Sequence, residues 1–228
     1  MTHADGPMTR ACWAVIVPVK PARSGKSRLR VADVDRERLA RAIALDTIAA
    51  ARSCRAVGEV VVVTDDDEIS RALAAARGIR VVAEGDRPRG IDAAVALGAG
   101  ALRCDMPRAA LLGDLPALAP ADLEAALALA AKRERGVVAD AEGSGSTLVT
   151  AAAGHALRTA FGEDSLRWHI ALGCARLELP TASTLRRDVD TADQLATAAA
   201  LGLGPRTSAI VRSALAAAYA APPGPRRD

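Results

Sequence analysis

Short apolar, β-branched runs alternate along this chain with longer Ala/Leu/Arg stretches of helical period. CWAVIVPV (12–19), EVVVVTDD (59–66), IRVVAEG (79–85) and RAALLGDLP (108–116) read as strands, the first two as buried ones. Between them, 33–53 puts Leu39, Ile43, Leu45 and Ile48 near one helical face, with Arg and acids opposite. Helices are also expected at 67–77, ahead of Gly78, and at 90–103 and 120–134. The last of these opens on Pro120 and carries Asp122 in its first turn, a favourable start. This β-α-β-α order predicts an α/β fold, with a mostly parallel sheet covered on both faces and joined by right-handed crossovers.

The second half is less regular. GVVADAEGSGSTLVTAA (136–152) suggests two strands around a Gly/Ser turn, FGEDSLRWH (161–169) the start of a short helix, and RLELP (176–180) a strand. RRDVDTADQLATAAALG (186–202) leads into a helix for which Thr191 and Gln194 form a candidate capping box. With 228 residues, one Rossmann-like domain over 12–220 is expected, preceded by a flexible 1–11 and followed by a disordered 221–228.

Composition narrows the function. A net charge of +3, with the Arg residues scattered among acids, gives no footprint for nucleic acid. The only aromatics, Trp13, Phe161, Trp168 and Tyr219, are too few for base-stacking platforms. No apolar run is long enough for a bilayer, and the N-terminus lacks the apolar core of a signal peptide. Cys12, Cys54, Cys104 and Cys174 form no C-x-x-C pair. They read as reduced, mostly buried thiols of a cytoplasmic protein.

In parallel sheets, ligands bind beyond the carboxyl ends of the strands. Four segments fall there: PVKPARSGKSRL, TDDDE, EGDRPRGID and GDLPAL. The first holds Lys20 and Lys26, two of the three lysines in the chain, with Arg23 and Arg28. Its GKS is not a P-loop, because the required Gly five residues before Gly25 is Lys20. A flexible, cation-rich loop that wraps phosphates is the better reading.

Asp114, at the end of an apolar strand, is a candidate ligand for Mg2+ if held beside a second carboxylate. Asp188 or Asp190 could complete that site; alternatively both acids serve the helix start or pair with Arg186 and Arg187. TDDDE reads chiefly as a helix cap. GSGST (143–147) and FGEDS (161–165) would each pass alone for ordinary turns. His155 and His169 have no ligand-like spacing, and only His169, beside FGEDS, comes near the candidate chemistry.

Taken in order, P-V-K-x6-S-R-L-type loop, VVVTD, GDLPAL, GSGST, FGEDS and DVDTADQL resemble the guanylyltransferases of deazaflavin coenzyme F-420 biosynthesis, which act on phosphoenolpyruvate or 2-phospho-L-lactate. The resemblance covers roughly 12–212. It implies a nucleotidyltransferase fold of the GT-A type, similar to the molybdenum-cofactor guanylyltransferases. It implies that Asp114, with Asp188 and Asp190, holds Mg2+, and that Lys20, Lys26 and Arg28 contact GTP phosphates, with Asp114 and Lys26 catalytic. Gly162, Ser165 and a hydroxyl from either Ser146 or Thr147 would contact the acceptor. Asp92, expected in nucleotide binding, stands where relatives carry Asn.

The expected reaction joins GTP to phosphoenolpyruvate, giving enolpyruvyl-diphospho-5'-guanosine and pyrophosphate. The expected partners are GTP and a small phosphorylated carboxylic acid, with no nucleic acid or membrane, and a homodimer as the assembly. The alternatives are 2-phospho-L-lactate or 3-phosphoglycerate as acceptor, another nucleotidyltransferase, or a non-catalytic nucleotide-binding protein. The two acidic segments argue against the last.

Overall fold

A computed structural model describes residues 12–22, 29, 31, 34–85, 90–103 and 105–220. The expected flexible N-terminus, the 221–228 tail, Cys104, and Arg23, Lys26 and Arg28 of the basic loop lie outside the described residues.

The apolar runs form a seven-stranded sheet in the order β3-β2-β1-β4-β6-β5-β7. Its first half is β1 (Trp13–Pro18), β2 (Val57–Val63), β3 (Ile79–Val82) and β4 (Arg108–Leu111), all parallel. Interspersed are α1 (Arg36–Ser53), α2 (Asp67–Leu73), α3 (Ile91–Gly100) and, after β4, α4 (Pro120–Ala130). The second half holds β5 (Arg135–Ala139), β6 (Ser146–Ala151), α5 (Ser165–Ala171), β7 (Ala175–Arg176), α6 (Ala192–Leu201) and α7 (Pro205–Ala220). β6 runs antiparallel to both its neighbours, β4 and β5.

Alternation splits the central strands between two layers, because successive side chains in a strand point to opposite faces. Val15 and Val17 of β1 and Val60 and Val62 of β2 pack with Ile48 of α1, Ile69 of α2 and Leu123 and Leu127 of α4. Ile16, Val61 and Val63 turn to the other face, against Ala94 and Val95 of α3. Each fully buried Val, Leu or Ile contributes roughly 1.5–3 kcal/mol, so few aromatics are needed.

Most sequence-level boundaries shorten in the structure because polar ends become caps. Asp35 accepts from the N–H groups of Glu37 and Arg38 and opens α1. Asp66 accepts from Glu68 and Ile69, so TDDDE is the expected cap. Thr191 and Gln194 form the expected capping box of α6. The strand expected over 176–180 reduces to Ala175–Arg176: Leu177 turns into the core and Pro180 has no N–H to pair. α7 has no counterpart among the expected elements. Its start is fixed by a residue far away in sequence, since the buried Asp46 carboxylate of α1 accepts from the N–H groups of Arg206 and Thr207 at 3.2 and 2.8 Å.

Of the described cysteines, Cys54 and Cys174 are buried and Cys12 is exposed, and none is paired. No described helix is long and apolar enough to cross a membrane.

Candidate active site

The chain leaves β1 toward β2 and β3, then returns to place β4 on the opposite side of β1. Loops diverge at such a switch point and leave a crevice beyond the carboxyl ends of the strands. A cleft of about 1040 Å³ lies here. Pro18, Val19 and Lys20 line it after β1, and Leu112, Gly113 and Asp114 after β4.

One wall is acidic. Asp114, Asp140, Asp188 and Asp190 all line the cleft. Backbone contacts bring them together: the Val189 N–H donates to the Asp114 carbonyl at 3.1 Å, and the Arg186 guanidinium donates to the Asp140 carbonyl at 2.8 Å. Gln194 of the capping box accepts from the N–H groups of Asp190 and Thr191 and donates to Glu142 Oε1 at 3.1 Å. A residue read from the sequence as a helix cap therefore also holds the acidic wall together.

Asp140, Glu142 and Asp188 offer carboxylate oxygens all within 4.8 Å of one another. Burial, followed by the charges of Asp114, Asp140 and Glu142, raises the Asp188 carboxyl to about 7. Its buried Oδ1 has no hydrogen-bond partner among the described residues. Crowded hard oxygen donors, one of them held back from ionising by its neighbours, fit a divalent cation.

Asp140 and Glu142 are the site residues that sequence reasoning missed. The available signal was that GVVAD, like LLGD, is an apolar strand ending on an acid. Asp140 has a second task. Its carboxylate accepts from the N–H groups of Gly143, Ser144 and Gly145 and so shapes the GSGST turn. A Cβ at Gly145 would collide with that carboxylate, which explains the glycine.

The rest of the lining carries the hydroxyls. Ser144, Gly145 and Ser146 line the cleft from the turn into β6, and Phe161, Gly162, Glu163, Asp164 and Ser165 from the loop into α5, where Glu163 and Asp164 add two exposed carboxylates. The Leu166 N–H donates to the Ser144 carbonyl at 3.0 Å and ties the two segments together. Gly162 has φ +139°, a backbone conformation that side chains oppose. Ser146 and Thr147 part company at an irregularity in the β5–β6 ladder. Val138 pairs with Leu148 but Ala139 pairs with Ser146, leaving Thr147 as the extra residue of a bulge. Ser146 lines the cleft, whereas Thr147 does not, and its side chain is completely buried.

Lys20 is exposed at the cleft edge. The loop it begins is anchored by Asp66, which accepts the Ala22 N–H at 3.2 Å and holds Arg41 at 3.0 Å. Asp92 does not line the cleft. Its Oδ1 accepts the Phe161 N–H at 3.0 Å, so the carboxylate braces the FGEDS segment from α3. His169 is completely buried against Ser146 of the cleft lining.

The arrangement suits a reaction between two anions: a cluster of acids for a cation, small residues and hydroxyls beside it, and a lysine at the edge. The comparisons with known proteins agree. The family described as "Guanylyl transferase CofC like" matches residues 13–202. A phosphoenolpyruvate guanylyltransferase of Streptomyces coelicolor is 47% identical over 211 residues, covering 90% of this chain and 98% of that protein. One from Thermomonospora curvata is 46% identical, covering 92% and 91%. Among solved structures, a nucleotidyl transferase from Methanothermobacter superposes with a TM-score of 0.55 at 19% identity, covering 89% of this chain and 99% of that one, a likeness of fold.

Proposed function

Since the chain belongs to the CofC-like guanylyltransferase family, we propose that it transfers GMP from GTP to phosphoenolpyruvate, giving enolpyruvyl-diphospho-5'-guanosine and pyrophosphate in coenzyme F-420 biosynthesis. The observation that carries this reading is the two-walled cleft at the switch point of a sheet whose relatives bear that activity in their names.

An oxygen of the acceptor phosphate attacks the α-phosphorus of GTP, and the bond from that phosphorus to the bridging oxygen of the β-phosphate breaks. The acceptor phosphate is already ionised, so the chain supplies no strong base. Its work is to hold two polyanions in line and to neutralise charge growing on pyrophosphate. Asp114, Asp188 and Asp190, with Asp140 and Glu142 beside them, would hold Mg2+. When bound, the cation lowers the repulsion between the phosphates and withdraws charge from the leaving group. Lys20, Lys26 and Arg28 would neutralise the β- and γ-phosphates. Ser146, Gly162 and Ser165 would orient the acceptor.

The reading places the enzyme in the cytoplasm, where both substrates occur and unpaired thiols stay reduced.

The test is pyrophosphate release from GTP, CTP, ATP or UTP, each with phosphoenolpyruvate, 2-phospho-L-lactate or 3-phosphoglycerate. GTP with phosphoenolpyruvate should give the highest kcat/KM, abolished by a chelator and restored by Mg2+. Preference for another nucleotide or acceptor would overturn the assignment, and GTP binding without turnover would favour a non-catalytic nucleotide-binding protein.

A further inference from the structure

His169 has no part in the reaction as proposed, yet it is completely buried against Ser146 of the cleft lining. Its Nε2 accepts the backbone N–H of Ala160 at 2.9 Å. An amide N–H can only donate, so Nε2 carries the lone pair. Burial holds the ring below the usual histidine range, which favours the neutral form despite the Asp92 carboxylate and the Ser165 backbone group facing it. The single ring proton is therefore on Nδ1, which lies 3.0 Å from Ser146 Oγ.

The consequence falls on the serine. With Nδ1–H donating to it, Ser146 Oγ acts as acceptor toward the histidine, and its own hydrogen is left to donate elsewhere. Ser146 lines the cleft while only 3% of it is exposed. A buried hydroxyl with its acceptor role already assigned is a fixed donor. A freely rotating one would present a lone pair as readily as a hydrogen, and a lone pair repels an anion.

We propose that His169 is a positioning residue: by donating from Nδ1 it orients the Ser146 hydroxyl to donate into the cleft, toward an anionic oxygen of the acceptor substrate. The Ala160–Phe161 backbone serves as the clamp that sets the tautomer. It is itself held by the Asp92 bond to the Phe161 N–H and by the edge-on packing of Phe161 against the imidazole, with centroids 4.9 Å apart. The inference rests on the acceptor side of the proposed function.

Two substitutions separate the two ring nitrogens. In His169→Asn the amide nitrogen replaces Nδ1–H and keeps the donor to Ser146. In His169→Gln the amide oxygen replaces Nε2 and keeps only the clamp on Ala160.

With phosphoenolpyruvate as the probe, His169→Gln should raise its KM about tenfold, the loss expected for one hydrogen bond to a charged group, and leave the KM for GTP unchanged. His169→Asn should stay within about threefold of the parent. Ser146→Ala should match His169→Gln, and the double variant should be no worse than Ser146→Ala alone. The reverse order, with Gln tolerated and Asn not, would mean that the ring only braces the backbone and would overturn the proposal, as would additive losses in the double variant. Independently of turnover, 15N spectra of imidazole-labelled parent protein should show His169 protonated on Nδ1. Protonation on Nε2 would overturn the proposal even if the GTP and phosphoenolpyruvate assays succeed, and the Nδ1 form would support it even if another acceptor proves correct.

Discussion

The two walls of the cleft solve opposite electrostatic problems. On the acidic wall, carboxylates from β4, β5 and the segment before α6 are crowded together, and Asp188 is pushed up to about 7 by burial and by Asp114, Asp140 and Glu142. On the hydroxyl-bearing wall, Ser146, His169, Ala160, Phe161 and Asp92 form a hydrogen-bonded chain that leaves the Ser146 hydroxyl hydrogen free for a ligand. The first wall is poised to take a cation, which would relieve it. The second is set before any ligand arrives. An enzyme that must bring two polyanions together benefits from both: mobile countercharge at the reacting phosphates, and fixed donors where one substrate needs a single orientation.

The largest expected break in this contrast comes from Asp114→Asn. Turnover should fall by at least about 100-fold, the scale expected for losing a charge-stabilising group, while the fold persists. Steady-state kinetics with circular dichroism check this, and near-normal turnover would remove Asp114 from the reaction. Next is Lys26→Ala, where the KM for GTP should rise about tenfold with the melting temperature unchanged. Unchanged GTP kinetics would detach the basic loop from the nucleotide.

A smaller effect sharpens the contrast through pH. A carboxyl whose folded value is raised above 3.8, to about 7, favours the folded state fully only at pH below 3.8. That contribution is lost as pH rises through about 7. In a chelator, the parent protein should therefore melt progressively lower as pH rises from 5 to 8, and Mg2+ should recover most of the loss at pH 8. Asp188→Asn should flatten this slope and melt higher than the parent at pH 8 without cation. A slope that survives the substitution would place the strain elsewhere.

The smallest effect is expected on the hydroxyl-bearing wall. Asp92→Ala leaves the Phe161 N–H without its acceptor and should cost about 1–3 kcal/mol in a denaturant titration. Unlike the Asp188 effect, this loss should be unaffected by Mg2+. Rescue of Asp92→Ala by the cation would erase the distinction between the walls.

Much of this was legible in the sequence because it is local. Val15 to Val17 and Val60 to Val63 alternate between faces as any buried strand must, and Asp66 and Thr191 cap helices within three residues of themselves. Asp114 stood out as an acid at the end of an apolar strand, whereas Asp188 and Asp190 also had local readings, at the helix start or paired with Arg186 and Arg187. Asp140 was not singled out in the sequence; its carboxylate shapes the Gly/Ser turn through the N–H groups of Gly143 to Gly145. Its membership in the acidic wall depends on β5 lying two places from β4 in the sheet, which no spacing encodes. The same holds for Asp92, whose carboxylate reaches 69 residues along the chain to Phe161, away from the cleft lining. α7 opens on Pro205, a local start signal, but the carboxylate that caps it comes from Asp46, 160 residues away.

The sequence by itself determined the alternating strands and helices, the caps, and the kinds of chemistry available: carboxylates, hydroxyls and a few concentrated lysines. Tertiary structure alone decided that β6 lies between β4 and β5, that Ser146 rather than Thr147 lines the cleft, and that His169 stands behind that serine. The reason is physical. Capping and periodicity act over a few residues, whereas strand order and ladder register are fixed by the packing of the whole sheet, and a shift of one residue in register exchanges the side chain that faces a ligand for one that faces the core.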